Sequence, residues 1–228
     1  MNAPFRLADP LVRTIDLTDP DETARVERFV ATHPEGTPFH RPAWIQAVEQ
    51  GTRNTALALA AVRDDELTAY LPLNLVHSPL FGRLLASSGF AVGGGILARS
   101  EEDAVRLFPA IEELARRRAC PTIELRGGSL PEGRAGWVTR SQSHCGFVRS
   151  LAEDDEAELL QIPRKQRAEV RKGLANDLVV RTGRGAVDRD DHYAVYAQSV
   201  RNLGTPVFPR RLFDAVLDRF GDDADILT

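Results

Sequence analysis

The residues best suited to chemistry lie between Ile162 and Gly185. Arg164, Lys165, Arg167, Arg171 and Lys172 fall within nine positions there, Arg181 and Arg184 follow, and only Glu169 and Asp177 oppose them. Lys165 and Lys172 are the two lysines of the whole chain, so positive charge elsewhere is arginine alone. Pro163 suits the first position of a helix, and Gly173 or Asn176 suits its end. On that helix Arg164, Arg167 and Arg171 share one face at i, i+3 and i+7, Lys165 and Lys172 sit one row over, and Val170 and Leu174 supply a narrow apolar seat. Cations grouped in this way raise the local potential and suit a phosphate or a nucleic-acid backbone, even in a chain of net charge -4. The same residues read equally well as a solvated face balanced by the acidic run from Glu153 to Glu158.

Two further groups could line a site. Gly93, Gly94 and Gly95 could present backbone N–H groups to an anion, or form a turn between strands. Phe208 lies among Val207, Pro206, Pro209, Arg210 and Arg211, where it could wall a cleft or staple the following helix through Phe213. Trp44, beside Ile45 and Val48, reads as core, and His192 and Tyr193 read as the start of a helix. The five histidines are scattered, and Cys120 and Cys145 stand 25 positions apart without CxxC, HxxxH or HExxH spacing, so no metal site is expected. GxSxG and GxxxxGK are both absent, which removes the usual anchors of a serine hydrolase and of a P-loop. No catalytic side chain can be named from the sequence.

The elements that must position these groups follow from periodicity. Arg13 to Thr18 alternates like a strand, Asp19 opens a helix through Thr32, and a second helix begins at Arg41-Pro42. Ala56–Val62 and Leu67–Val76 read as a hairpin around Arg63-Asp64-Asp65-Glu66. Short strands are expected at Arg83–Ser88 and near Ile96. A helix over 101–119 is capped by Ser100 and has arginines in its last turn. Thr122–Leu125 reads as a strand, and one or two more are expected within Gly136–Leu151. After the basic helix come a strand at Leu178–Thr182, helices at Asp190–Leu203 and Pro209–Phe220, and the start of a strand at Ala224–Thr228. Strand, helix, helix, strand thus occurs twice, which predicts a duplicated unit whose second copy is incomplete and ends on an open edge. The expected division is residues 1–152 and 153–228, an α+β chain with mixed sheets flanked by helices. At 43% hydrophobic content and without a 20-residue apolar run or a leader, the chain reads as a cytoplasmic protein with no transmembrane segment. Its acidic balance, pI near 5.8, argues against DNA binding along its whole surface.

This order of elements resembles the GNAT acyltransferase fold, and two copies joined by a basic helix resemble the FemAB family, most closely its members associated with PEP-CTERM/exosortase systems of Gram-negative bacteria. The residues concerned are Pro38-Phe39-His40-Arg41-Pro42-Ala43-Trp44, Ala69-Tyr70-Leu71-Pro72-Leu73, and the basic helix from Arg164 to Leu174. The resemblance implies transfer of an acyl or aminoacyl group to an amine on a cell-envelope precursor, as in peptidoglycan synthesis, or on an exopolysaccharide precursor. It further implies aminoacyl-tRNA or another acyl donor as co-substrate, no resident cofactor, and a peripheral place at the inner membrane. Arg164, Lys165, Arg167, Arg171, Lys172 and Phe208 would orient the phosphate-bearing substrate. Ordinary GNAT enzymes hold coenzyme A on a Q/R-x-x-G-x-G/A loop; Phe90–Gly95 and Val180–Gly185 both fail its first position, so acetyl-CoA is the less expected donor. The alternatives are an acetyl-CoA-dependent GNAT N-acetyltransferase, or a non-catalytic module that binds RNA, a nucleotide-sugar or an acidic partner through the basic helix.

Overall fold

Thr55–Arg63 and Glu66–Ser78 are apolar on both alternating faces, so a sheet built on them must be covered from both sides. The computed structural model, which describes residues 9–80, 82–129, 134–141 and 145–228, shows that arrangement. These two strands, β2 and β3, form a hairpin whose turn residues Asp64 and Asp65 both have positive φ. That is the conformation whose twist matches the strands it joins. β1 (Val12–Thr14) flanks β2, β4 (Gly82–Ser87) flanks β3, and β6 (Thr122–Glu124) lies parallel to β4, giving a mixed sheet in the order β1-β2-β3-β4-β6.

One face of the sheet packs on α3 (Glu101–Arg117). Leu59, Leu71, Leu73 and Leu85 meet Leu107, Phe108, Ile111 and Leu114, all buried. The other face packs on α1 (Pro20–Thr32) and α2 (Pro42–Thr52), where Ala58, Ala60 and Tyr70 meet Val26, Val30 and Ile45. Alanine at alternate positions of β2 leaves room for the helices to approach this face. Of these three helices, α1 and α3 begin at the caps the sequence predicts. Asp19 accepts from the amides of Asp21 and Glu22, and Ser100 accepts from that of Asp103.

β3 holds one irregularity that matters later. Pro72 has no N–H to offer the strand beside it, and the chain leaves β3 at that level. β4 ends at Ser87, residues 88–96 loop out, and β5 (Leu97–Ala98) resumes antiparallel pairing at Tyr70 and Ala69. The partner strand is therefore split, and the glycine stretch lies in the split.

Beyond the sheet come α4 (Asp155–Gln161), α5 (Arg164–Leu174), β7 (Thr182–Gly183), α6 (Ala186–Asn202), α7 (Arg210–Phe220) and β8 (Ile226–Leu227). β7 and β8 pair antiparallel, so β7-α6-α7-β8 repeats the order and the strand pairing of β1-α1-α2-β2. α7 lies against α2 so closely that a Cβ on Gly51 would stand 2.4 Å from the Leu212 Cα. Arg219 reaches back to Gln50 at 3.1 Å and Gln46 at 3.0 Å.

Several expectations are corrected. Among the described residues of 136–151 there is no strand; Val138, Phe147, Val148 and Leu151 stand exposed beside no partner, and β-propensity without a cross-strand neighbour does not make a strand. For the same reason Leu178–Val180 stays irregular and β7 begins only at Thr182. The terminal strand is shorter than expected, at Ile226–Leu227, and pairs with β7 on one edge. The first strand occupies Val12–Thr14 rather than Arg13–Thr18. Pro163 is the cap rather than the first residue of α5, and Val170 and Leu174 are exposed instead of seated.

Candidate functional site

The split in the sheet is the most heavily constrained place in the molecule. In the loop 88–96, Ser88, Phe90 and Gly94 have φ of 43°, 63° and 95°. For serine and above all phenylalanine this is an unfavourable conformation, costing on the order of 1 kcal/mol or more, and it persists only where surroundings impose it. The surroundings are visible. Gly89 N–H donates to Asn74 Oδ1 at 3.0 Å, and the same buried amide donates through Nδ2 to the Ile45 carbonyl at 3.2 Å. Trp44 Nε1–H donates to the Gly89 carbonyl at 3.1 Å, and Ser88 Oγ donates to the Phe39 carbonyl at 2.6 Å. Trp44 is thus a half-buried fastener of the loop as well as a core residue.

The glycines are required by contact. A Cβ on Gly94 would fall 2.3 Å from Ser88 Oγ, and one on Gly95 would fall 1.8 Å from the Gly127 carbonyl oxygen. A Cβ on Gly93 would meet nothing within 4 Å. The N–H groups of Gly93, Gly94 and Gly95 donate to no acceptor among the described residues. Arg126 stands beside the loop, donating from Nη1 to the Ala91 carbonyl at 3.0 Å and from Nε to Glu124 at 2.6 Å. Free amides and a guanidinium beside a fixed backbone can stabilise an anionic oxygen, whether of a phosphate or of an acyl group passing through a tetrahedral state.

His40 stands behind the loop, 4% exposed. Its Nδ1 accepts from the Thr37 amide at 3.2 Å and the Thr37 hydroxyl at 2.8 Å, which leaves the proton of the neutral ring on Nε2. Nε2 makes no hydrogen bond, although the Gly95 carbonyl lies near enough to bias it toward the charged form. Burial outweighs that bias and pulls the pKa from 6.5 down to about 4. His40 is therefore an uncharged donor at neutral pH.

Phe208 meets this loop from the second β-α-α-β unit. Its ring packs edge-to-face on Phe90 at 5.1 Å between centroids. Its N–H donates to Tyr196 Oη at 3.1 Å, and its carbonyl accepts from Tyr193 Oη at 3.0 Å, so two α6 tyrosines grip one residue from both sides. His192 and Tyr193 lie inside α6, which begins at Ala186, rather than at its start. Phe213 packs with His192, Tyr193 and Tyr196 rather than with Phe208. Phe208 and the three glycines, separate in the sequence, come together here.

The five cations do not join them. α5 buries no residue, and Arg164, Lys165, Arg171 and Lys172 pair with no acid among the described residues. Arg167 turns back on the chain, donating to the carbonyls of Leu160 at 2.7 Å and Ile162 at 2.9 Å, where it closes the end of α4.

His40, Asn74, Ser88, Trp44 and Arg126 were not singled out as site residues from the sequence, although one signal pointed at the first. Gly36-Thr37-Pro38-x-His40 and Gly204-Thr205-Pro206-x-Phe208 match at an offset of 168 (204 against 36), and Ala47-Val48 matches Ala215-Val216 at the same offset. The two segments lead into α2 and α7, and both close on the same loop. Among the described residues no group of three or more His, Cys, Asp or Glu could hold a metal ion.

No protein-family model and no curated protein matches this sequence. Among solved structures, FemX superposes with a TM-score of 0.60 at 15% identity over 93% of this chain, which spans 56% of the length of FemX. A ribosomal-protein-alanine N-acetyltransferase from Brucella melitensis biovar Abortus 2308 gives a TM-score of 0.38 at 19% identity, covering 62% of this chain and 98% of its own. A GNAT family acetyltransferase from Staphylococcus aureus gives 0.37 at 16% identity, with 61% and 98% covered. Scores below one half carry no weight for topology. The FemX superposition, at its low identity, bears on the fold alone. The expected class, a mixed sheet flanked by helices, is what the structure contains.

Proposed function

We propose that the chain is the greater part of an acyl- or aminoacyl-transfer site of the FemAB type, with the reacting carbonyl held at the glycine loop. The observation that carries this reading is the split of β4 from β5, where three adjacent amides lack acceptors while the backbone around them is immobilised from both β-α-α-β units. In such a site the Gly93–Gly95 amides stabilise the oxyanion that forms when an amine attacks the donor carbonyl. Phe90 and Phe208 form the apolar wall, and Arg126 supplies positive potential for donor or acceptor phosphate. The acceptor amine must arrive neutral, and no side chain here is assigned as its base. The second unit, taken as residues 153–228, serves in this reading as the wall that carries Phe208. The preferred acceptor is an amine-bearing envelope precursor and the preferred donor an aminoacyl-tRNA; both come from the family resemblance.

The test is mass-spectrometric. The protein is incubated with a pool of aminoacyl-tRNAs and a nucleotide-linked muropeptide carrying a free amine, and in parallel with acetyl-CoA. An aminoacyl mass increment that disappears with Gly93→Val, a substitution with open space around it, supports the reading. An increment unaffected by Gly93→Val removes the loop from the chemistry, and an acetyl increment alone selects the N-acetyltransferase alternative.

A further inference from the structure

We infer that α5 is a docking face for an anionic lipid surface, independent of whether the glycine loop performs acyl transfer. At about 100° per residue, Arg171, Arg164, Lys172 and Lys165 fall within an arc of about 120° centred on the small side chain of Ala168. This makes a cationic face about 12 Å long, from Arg164 to Lys172, on an 11-residue helix. None of these four cations pairs with an acid among the described residues. Elsewhere arginines are commonly held in ion pairs, as Arg106 is by Asp9, Arg134 by Glu112 and Arg189 by Asp218.

The cations do not serve the helix that bears them. Arg164 and Lys165 occupy the first turn, where the helix dipole favours acids, and that turn has no acid and no side-chain cap. They do not serve the rest of the fold either, because α5 buries nothing. The helix is tied to its neighbour in the chain. Arg149 pairs with Glu158 and donates to Gln161 at 2.8 Å, while Arg167 binds the last carbonyls of α4.

Apolar neighbours decide which polyanion it fits. Leu174 is 69% exposed about 60° beyond the Arg171 edge of the cationic arc, Leu160 stands exposed just before the helix, and Leu178, Val179 and Val180 stand exposed just after it. These aliphatic side chains gain nothing from a nucleic-acid backbone, and α5 carries no aromatic residue on which a base could stack. At a bilayer they enter the boundary between headgroups and acyl chains while the cations meet anionic headgroups. No helix among the described residues is long and apolar enough to cross a membrane, so the attachment is peripheral.

The experiment is co-sedimentation of the intact chain with phosphatidylcholine vesicles, with and without one quarter phosphatidylglycerol. Binding is expected only to the anionic vesicles and should weaken as salt rises. Arg164→Gln with Lys165→Gln should lower partitioning roughly thirtyfold, at about fivefold per cation, and Leu174→Ser should lower it several-fold more. Arg28→Gln with Arg116→Gln, a matched change of charge elsewhere, should leave it within about twofold. Equal binding to neutral vesicles, or none to either, overturns the inference. So does tighter, variant-sensitive binding of a single-stranded RNA, or a Leu174-dependent dimer in light scattering that ignores vesicles.

Discussion

The two β-α-α-β units share an order, a strand pairing and a Gly-Thr-Pro entry to their second helix, yet they are stabilised differently. In the first, β3, β4 and α3 extend the sheet and cover it, so β2 is buried on both faces. In the second, β7 and β8 pair over two residues each, α6 buries nothing, and the buried residues are those of α7 together with Ile226 on β8. Topology is thus repeated without its core. The second unit is held as an accessory of the first, through the α2–α7 contact, the Arg41–Asp223 pair at 2.8 Å and Phe208.

The largest expected effect tests that asymmetry directly. Leu71→Ala or Ile111→Ala, each at a fully buried position, should cost about 2–5 kcal/mol in denaturant unfolding, whereas Val195→Ala on α6 should stay within about 0.5 kcal/mol. Similar costs in both units would erase the distinction.

The next effect separates the matching positions His40 and Phe208. His40 is neutral in the fold because its pKa falls from 6.5 to about 4. The unfolded chain binds that proton first as pH drops, so stability is full above about 6.5 and declines toward about 4, by roughly 3 kcal/mol at about 1.4 kcal/mol per unit. His40→Phe, which gives the first unit the residue of the second, should flatten that portion of the pH–stability profile. An unchanged slope would show that His40 is solvated.

Gly94→Ala should cost about 1–3 kcal/mol, because positive φ and Ser88 both oppose a Cβ, while Gly93→Ala should be nearly neutral. Thermal unfolding of the pair sharpens the assignment of strain to one side of the loop. The smallest effect is the coupling across the units. A double-mutant cycle of Phe90→Leu and Phe208→Leu should return about 0.5–1.5 kcal/mol, and a coupling of zero would leave the second unit without a grip on the loop.

Much of this was legible in the sequence where short-range chemistry decides. The Asp64-Asp65 hairpin and the Asp19 and Ser100 caps depend on neighbours a few positions away. The strand expected within 136–151 and the first three residues of the one expected at Leu178–Thr182 failed because a strand depends on a partner that pattern cannot supply. His40 was hidden for the opposite reason. Its position looks like a helix entry, and its burial and lone Nε2 arise from Thr37 and from a loop more than 50 residues away. Pro72 was the readable clue to that loop, since a proline inside a central strand marks where the neighbouring strand must leave.

The proposed chemistry rests on the Gly93, Gly94 and Gly95 amides, which have no acceptor among the described residues. The decisive measurement is amide NMR of Gly93, Gly94 and Gly95 during titration with a hydrolysis-resistant aminoacylated RNA minihelix, paired with the transfer assay on its reactive counterpart. Saturable downfield shifts of all three amides, lost in Gly93→Val together with product, are predicted. Amides that do not move while product still forms would contradict it.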